Sequence, residues 1–174
     1  YAGINEYENA VQLTKAVNDA NSIAEALNKL NFDLRLVLDA NIDECDRAIE
    51  TFIAALDSYD VGVFYFAGHG VEIDGKNYLL AKNTPIESKA GLLRYSINLQ
   101  DIVTNIHQTG CCTNIFIIDA CRDNPYPDTN VNKEMTVMTE EHVKERKADY
   151  CAYAIMDGNV TTTKAHALLK EATA

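Results

Sequence analysis

The sequence predicts one α/β domain built on a doubly wound, mostly parallel sheet, and three observations support this fold class. Helical and strand-like hydrophobic patterns alternate along most of the chain, which is the element order of α/β folds. Two runs, 61–66 and 115–118, are short, continuous and rich in β-branched or aromatic residues, as in strands buried on both faces. The 174 residues, 47% of them hydrophobic, suffice for one substantial core.

Two amphipathic helices are predicted in the first third of the chain, separated by a strand over Leu34 to Leu38. The first helix should end near Asn31, and its apolar face consists of Ala16, Ala20, Ile23, Leu27 and Leu30. The second has Asn41 as N-cap with Glu44 in a capping box. Its apolar face consists of Ile42, Cys45, Ile49, Phe52, Ile53 and Leu56.

The middle of the chain predicts a strand over 61–66, followed by a short hairpin. Asp74-Gly75 is a turn signal, and residues 78–80 form the returning strand. The third helix then has an apolar face made of Leu99, Ile102, Val103 and Ile106. The buried strand at 115–118 comes next.

Beyond Pro125 the periodicity is lost. A strand over Cys151 to Met156 and a terminal helix around 166–172 are the remaining elements that the pattern supports. We therefore expect residues 126–150 to form a mobile linker, although the Glu and Lys content of 139–148 also permits a solvated helix.

A histidine and a cysteine follow the two buried strands. His69 lies between two glycines in Gly-His-Gly, and Cys121 follows Ile-Ile-Asp-Ala. Carboxyl ends of parallel strands meet at one edge of the sheet, where ligands and catalytic groups gather. His69 and Cys121 are thus candidates for a general base and a thiol nucleophile.

The other cysteines show no chemical pattern. Cys45, Cys111, Cys112 and Cys151 complete an odd set of five without zinc-ligand spacing. We interpret most of these thiols as structural, in a protein from a reducing compartment.

Composition excludes several classes of function. The net charge of −11 argues against nucleic acid or an anionic membrane as partner. The chain shows neither a transmembrane run nor a signal peptide, so we expect a cytoplasmic protein. No metal site or organic cofactor is indicated.

The blocks "YFAGHGVEIDGKNYLL" and "IFIIDACRDNP" resemble the caspase-like cysteine peptidases, most closely the paracaspases and their bacterial relatives. The likeness extends upstream through residues 3–41 and is weaker over 150–174. It implies a caspase-like three-layer sandwich, with a mostly parallel central sheet and helices on both faces. Residues 1–174 would then be a single peptidase domain, incomplete at both ends.

The resemblance implies cysteine endopeptidase chemistry. His69 would be the general base and acid, Cys121 the nucleophile, and the backbone amides of Gly70 and Cys121 the oxyanion hole. Substrates would be proteins or peptides, and a homodimer is left open.

Asp119 is the candidate for substrate recognition. It lies two residues before Cys121, so an extended strand would direct both side chains to the same face. A buried acid requires a cationic partner, and Arg122 is one alternative. The resemblance implies another, in which Asp119 and Asp19 line a pocket for a basic side chain. The third acid of that pocket has no counterpart at 159–163, although Asp157 could substitute.

The predicted activity is therefore cleavage after Arg, with Lys second. A related peptidase with another specificity, such as cleavage after Asn, is the alternative among enzymes. A non-catalytic signalling scaffold is the alternative from a different class.

Overall fold

The structure, a computed structural model, describes residues 1–121 and 151–157, with residues 121 and 151–157 described through their backbone alone. The strands are β1 (Ala2–Gly3), β2 (Val37–Leu38), β3 (Val61–Ile73), β4 (Lys76–Leu80), β5 (Ser96–Asn98), β6 (Thr113–Cys121) and β7 (Cys151–Asp157). The helices are α1 (Ala16–Asn28), α2 (Ile42–Ala55), α3 (Lys89–Arg94) and α4 (Leu99–His107), with a 3-10 turn at Leu56–Ser58.

The sheet is mostly parallel among the described strands, as the sequence predicts. The order β2-β1-β3-β6-β7 is parallel throughout, whereas β4 and β5 add an antiparallel extension to the end of β3. β3 therefore belongs to both parts of the sheet. Its pairing with β6 ends at His69, and its pairing with β4 begins at Gly70.

Helix α1 covers one face of the sheet. The residues that meet there are Ala16, Ala20, Ile23 and Leu27 of α1 with Val63, Tyr65, Ala67, Ile115 and Ile117 of β3 and β6. Helix α1 passes over β1 at Gly3. A Cβ atom at this position would lie 2.6 Å from the Ala16 carbonyl oxygen, so there is no room for a side chain. This face consists of the odd-numbered positions of β3 up to Ala67 and of the facing odd-numbered positions of β6.

Helices α2, α3 and α4 cover the opposite face. The core on this side includes Ile42, Cys45, Leu92, Leu99, Ile102, Ile106, Phe66, Phe116 and Ile118. Helices thus lie on both faces of the sheet, which confirms the predicted α/β sandwich. The capping box of α2 is also confirmed, with Asn41 accepting from the Glu44 amide and Glu44 from the Asn41 amide.

Several predicted boundaries were wrong. α1 ends at Asn28, and Asn31 has a φ of 62°, which ends any continuation of the helix. β2 is confined to two residues rather than the five predicted over 34–38. The strand predicted over 61–66 instead runs to Ile73, so His69 lies within β3, at the last position of its parallel pairing. α3 and β5 were not predicted.

Other predictions agree with the structure. The hairpin turn contains Asp74 and Gly75, both with positive φ, and the strand predicted over 151–156 is β7. The predicted linker at 126–150 and the predicted helix at 166–172 lie outside the described residues. No helix in the described part of the chain combines the length and apolar character that crossing a membrane requires.

Candidate active site

His69 and Cys121 occupy neighbouring positions on adjacent strands. In the register of β3 with β6 the Cα of His69 is paired with that of Cys121, and this is the last pair of the ladder. Neighbouring strands lie about 4.8 Å apart. The two candidate residues, 52 positions apart in the chain, therefore lie side by side at one edge of the sheet.

The His69 ring is buried and oriented by a main-chain carbonyl. Only 1% of the residue is exposed, and Nε2 lies 2.7 Å from the carbonyl oxygen of Val11. A carbonyl only accepts hydrogen bonds, so Nε2 must carry the proton. Neutral His69 then has an unprotonated Nδ1, and this nitrogen has no hydrogen-bond partner within the described residues. The arrangement leaves Nδ1 as the basic atom of the ring.

Tyr7 provides a second contact to His69 from the same loop as Val11. The His69 backbone N–H donates to the Tyr7 hydroxyl at 2.8 Å, and the two rings lie 4.6 Å apart at 49°. Sequence reasoning missed both residues. Every residue carries a carbonyl such as that of Val11, and Tyr7 belongs to no periodic pattern.

Gly70 begins the antiparallel pairing of β3, opposite Leu79. Among the described residues, the last pair of the β6–β7 ladder is Ala120 with Asp157, one residue before Cys121. The free Cys121 amide of the oxyanion hole stays a prediction.

Asp119 and Asp19 are electrostatic neighbours. Asp119 follows Ile117 at the same parity of β6, on the face covered by α1, and Asp19 is in the first turn of α1. Burial raises the pKa of the half-buried Asp119 carboxyl, and the negative charge of Asp19 raises it further. Within residues 1–120 no lysine, arginine or histidine forms an ion pair with either carboxylate. The other candidates, Arg122 and the side chain of Asp157, lie outside the described part.

Tyr65 belongs to the same cluster and was not singled out from the sequence. Burial raises the pKa of its hydroxyl well above the usual range, and the charges of Asp119 and Asp19 add to the effect. Its position, four residues before His69 on the same strand, has the parity that could have indicated it. We call Asp19, Asp119 and Tyr65 the acidic cluster.

The remaining described thiols have environments unlike a nucleophile's. Burial raises the pKa of Cys45 to about 12, with Asp46 and Glu44 adding to the effect, and burial also raises the pKa of Cys111. Cys112 is exposed. An apolar cavity of about 260 Å³ lies between α2 and the first half of β3, and its lining does not include His69, Asp19 or Asp119.

A parallel sheet with a histidine and a cysteine joined at its edge, and helices on both faces, is the architecture of a caspase-type domain. The chain belongs to the caspase domain family, whose sequence model matches residues 2–167. This confirms the resemblance found in the sequence.

Two curated relatives agree with this assignment and give it a paracaspase-related character. The chain is 27% identical over 124 residues to human mucosa-associated lymphoid tissue lymphoma translocation protein 1, a match that covers 71% of this chain and 15% of the human protein. The mouse homologue is 28% identical over 112 residues, covering 64% and 13% respectively. The matched segment is thus a small part of each relative's length.

Proposed function

We propose that this chain is a cysteine endopeptidase that cleaves peptide bonds after Arg, with Lys as the second choice. The proposal rests on the tautomer of His69 and on its position beside Cys121. Its Nε2–H is engaged by Val11, its Nδ1 has no partner within the described residues, and its Cα is the register partner of Cys121. Family membership supports cysteine peptidase chemistry in general.

In the proposed mechanism Nδ1 of His69 takes the proton of the Cys121 thiol, and the thiolate attacks the carbonyl carbon of the scissile bond. The amides of Gly70 and Cys121 bind the resulting oxyanion. The protonated Nδ1 then donates to the leaving amine as the C–N bond breaks, which leaves a thioester on Cys121. Water, deprotonated by Nδ1, attacks the thioester carbonyl carbon and expels the Cys121 thiolate with the carboxylic acid product. The proton on Nδ1 returns to the sulfur and restores the free thiol and the neutral imidazole.

The acidic cluster supports the choice of a basic substrate residue. Asp19 lies close enough to raise the pKa of Asp119, and no lysine, arginine or histidine of residues 1–120 forms an ion pair with either carboxylate. A positive side chain bound between them would therefore be stabilised. A guanidinium can bind carboxylates through parallel hydrogen bonds that an ammonium cannot reproduce. We therefore place Arg before Lys.

The test compares the parent with Cys121→Ala on a fluorogenic arginyl peptide. Loss of the nucleophile should reduce hydrolysis about 10³-fold or more, whereas Cys112→Ala, which removes an exposed thiol, should leave the rate unchanged. An electrophilic arginyl peptide should label the parent once, at Cys121. A Cys121→Ala variant with the parent's rate would overturn the nucleophile.

A panel of peptides with Arg, Lys, citrulline, Asn or Asp before the scissile bond tests specificity. Citrulline is nearly isosteric with Arg but uncharged, so poor cleavage would support recognition by charge. Preference for Asn would identify the alternative peptidase. A protein that neither hydrolyses nor reacts with any member of the panel would be the signalling scaffold.

A further inference from the structure

The loop between β1 and α1 contacts His69 at two separate points. Val11 binds the tip of the ring through its carbonyl oxygen, and the Tyr7 hydroxyl accepts the backbone N–H of His69. The mechanism proposed above depends only on the contact with Val11, which sets the tautomer of His69. The second contact lies in the core, where Tyr7 is 4% exposed.

Tyr7 also explains a glycine of the Gly-His-Gly motif. A Cβ atom at Gly68 would lie 2.5 Å from the Tyr7 hydroxyl oxygen and 2.9 Å from the Phe66 ring. Any side chain at Gly68 would therefore displace the hydroxyl from the His69 amide. The residue before His69 is glycine because Tyr7 occupies the space that a side chain would need.

The loop that presents Tyr7 is itself held in place. The Asn5 and Glu6 amides both donate to Oδ1 of Asp39, at 2.7 and 2.9 Å. The Leu13 amide donates to the Asn5 carbonyl, and the Val17 amide donates to the Asn5 side chain. These bonds fix the start of the loop to the residue after β2 and its end to the start of α1.

We propose that Tyr7 is a positioning residue for the general base, an inference that rests on the proposed function. Its hydroxyl fixes the backbone at His69, and its ring packs against the imidazole. Together they keep Nε2 directed at Val11 and Nδ1 unprotonated in the neutral ring. In this proposal Tyr7 acts through His69.

Tyr7→Phe tests this proposal, because it removes the hydroxyl and keeps the ring. The His69 amide loses its acceptor, and a shift of the ring by a fraction of an ångström follows. We expect kcat on the arginyl peptide to fall about 10- to 100-fold, since misplacement of a catalytic group by about 1 Å costs up to 10²-fold. KM should change little. Tyr59→Phe removes an exposed hydroxyl bonded to Asp33 and should retain the parent's kcat.

A second readout does not depend on turnover. In protein labelled with ¹⁵N-histidine, the ring signals of His69, identified by their loss in His69→Ala, should show the Nε2–H form in the parent. Tyr7→Phe should increase the Nδ1–H form. In the parent, the His69 amide should exchange slowly with solvent, and rapid exchange would overturn the proposal without any variant.

The two proposals fail in different ways. Unchanged kcat and unchanged ring signals in Tyr7→Phe, with Cys121-dependent hydrolysis in the parent, would overturn the role of Tyr7 and leave the peptidase standing. Ring signals that depend on Tyr7, in a parent without hydrolysis, would overturn the peptidase and support the positioning of His69.

Discussion

At the scale of single residues, Asp119 is the group whose environment is hardest to explain by stability. It is half-buried, its pKa is raised by burial and by Asp19, and no cation pairs with it within residues 1–120. Ionised carboxylates in such surroundings destabilise a fold. This cost in stability, two positions before the proposed nucleophile, is the reason that we propose a substrate-binding role for Asp119.

The first prediction is that Asp119→Asn modestly raises the Tm at pH 7. The folded-state pKa of Asp119 lies above its unfolded value, so the folded state is penalised where the carboxylate is ionised in both states. That penalty disappears as the pH falls through the folded pKa towards the unfolded value of about 3.9. The advantage of Asp119→Asn in thermal melts should therefore shrink on acidification.

Asp60→Asn, at an exposed carboxylate, is the matched control for this experiment and should leave the Tm unchanged at both pH values. A lower Tm for Asp119→Asn at pH 7 would mean that the ionised carboxylate stabilises the fold. The structural alternative, a salt bridge with Arg122, would then be favoured.

The second prediction concerns Asp19, which is farther along the chain from Cys121 and so gives the cleaner test of the pocket. Breaking a buried ion pair costs about 3–5 kcal/mol, and a half-exposed pair costs less because solvent screens it. We expect Asp19→Asn to reduce kcat/KM for arginyl peptides roughly ten- to a hundredfold. Alkylation of Cys121 by iodoacetamide, which carries no cation, should proceed at nearly the parent rate.

The pH profile of the same variant gives an independent check. Removing the charge of Asp19 removes one of the two causes that raise the pKa of Asp119. The acid limb of kcat/KM for arginyl peptides should therefore move to lower pH in Asp19→Asn. Equal loss of peptide hydrolysis and of alkylation would show that the variant disturbs the nucleophile instead of the pocket.

At the scale of elements, β3 and the loop after β1 build the site together. β3 changes from parallel to antiparallel pairing between His69 and Gly70, so the histidine is held by strand pairing on either side of it. A Cβ atom at Gly70 would approach the Cβ of Ala120 to 3.1 Å, which shows how closely β3 and β6 lie at this point. The loop supplies the polar contacts that the sheet cannot.

The third prediction concerns Val11, which binds Nε2 of His69 through its main-chain carbonyl and not through its side chain. The residue is 73% exposed, so Val11→Ala should retain kcat/KM within about twofold, as exposed substitutions usually have small effects. Deletion of the exposed Gln12 should shift the Val11 carbonyl away from Nε2 of His69 and lower kcat sharply. Steady-state kinetics with the arginyl peptide measures both. Loss of activity in Val11→Ala comparable to that of His69→Ala would contradict the assignment.

At the scale of the whole molecule, the segment at 126–150 follows Cys121 and precedes β7. It lies outside the described residues, so its character as a linker stays a prediction. Many caspase-like enzymes are cleaved in the corresponding segment. The sequence resemblance therefore implies that cleavage of this chain would occur there as well. Four basic residues in it suit the proposed specificity: Lys133, Lys144, Arg146 and Lys147.

The fourth prediction is that the purified protein cleaves itself after one of these residues. Intact-mass spectrometry should find two fragments in the parent and an uncleaved chain in Cys121→Ala, because only the parent retains the nucleophile. Each fragment mass identifies the bond cut. An identical intact mass in both proteins, under conditions where the parent hydrolyses the arginyl peptide, would exclude self-cleavage.

Much of this protein is determined by its sequence alone. The alternation of helical and extended patterns defines the α/β class, because the periods of 3.6 and 2 residues reflect which face of each element is buried. His69 and Cys121 could be paired in advance, since buried parallel strands align their ends. The capping box of Asn41 and Glu44 was also predicted correctly from the sequence.

Only the tertiary structure decided how His69 is held and which residues share the acidic cluster. The Val11 carbonyl and the Tyr7 hydroxyl reach His69 across 58 and 62 positions of the chain, from a loop without periodicity. Asp19 meets Asp119 because α1 crosses the face of the sheet to which the odd positions of β6 point. Contacts between distant segments depend on how elements pack, and a carbonyl that every residue carries has no signature in sequence.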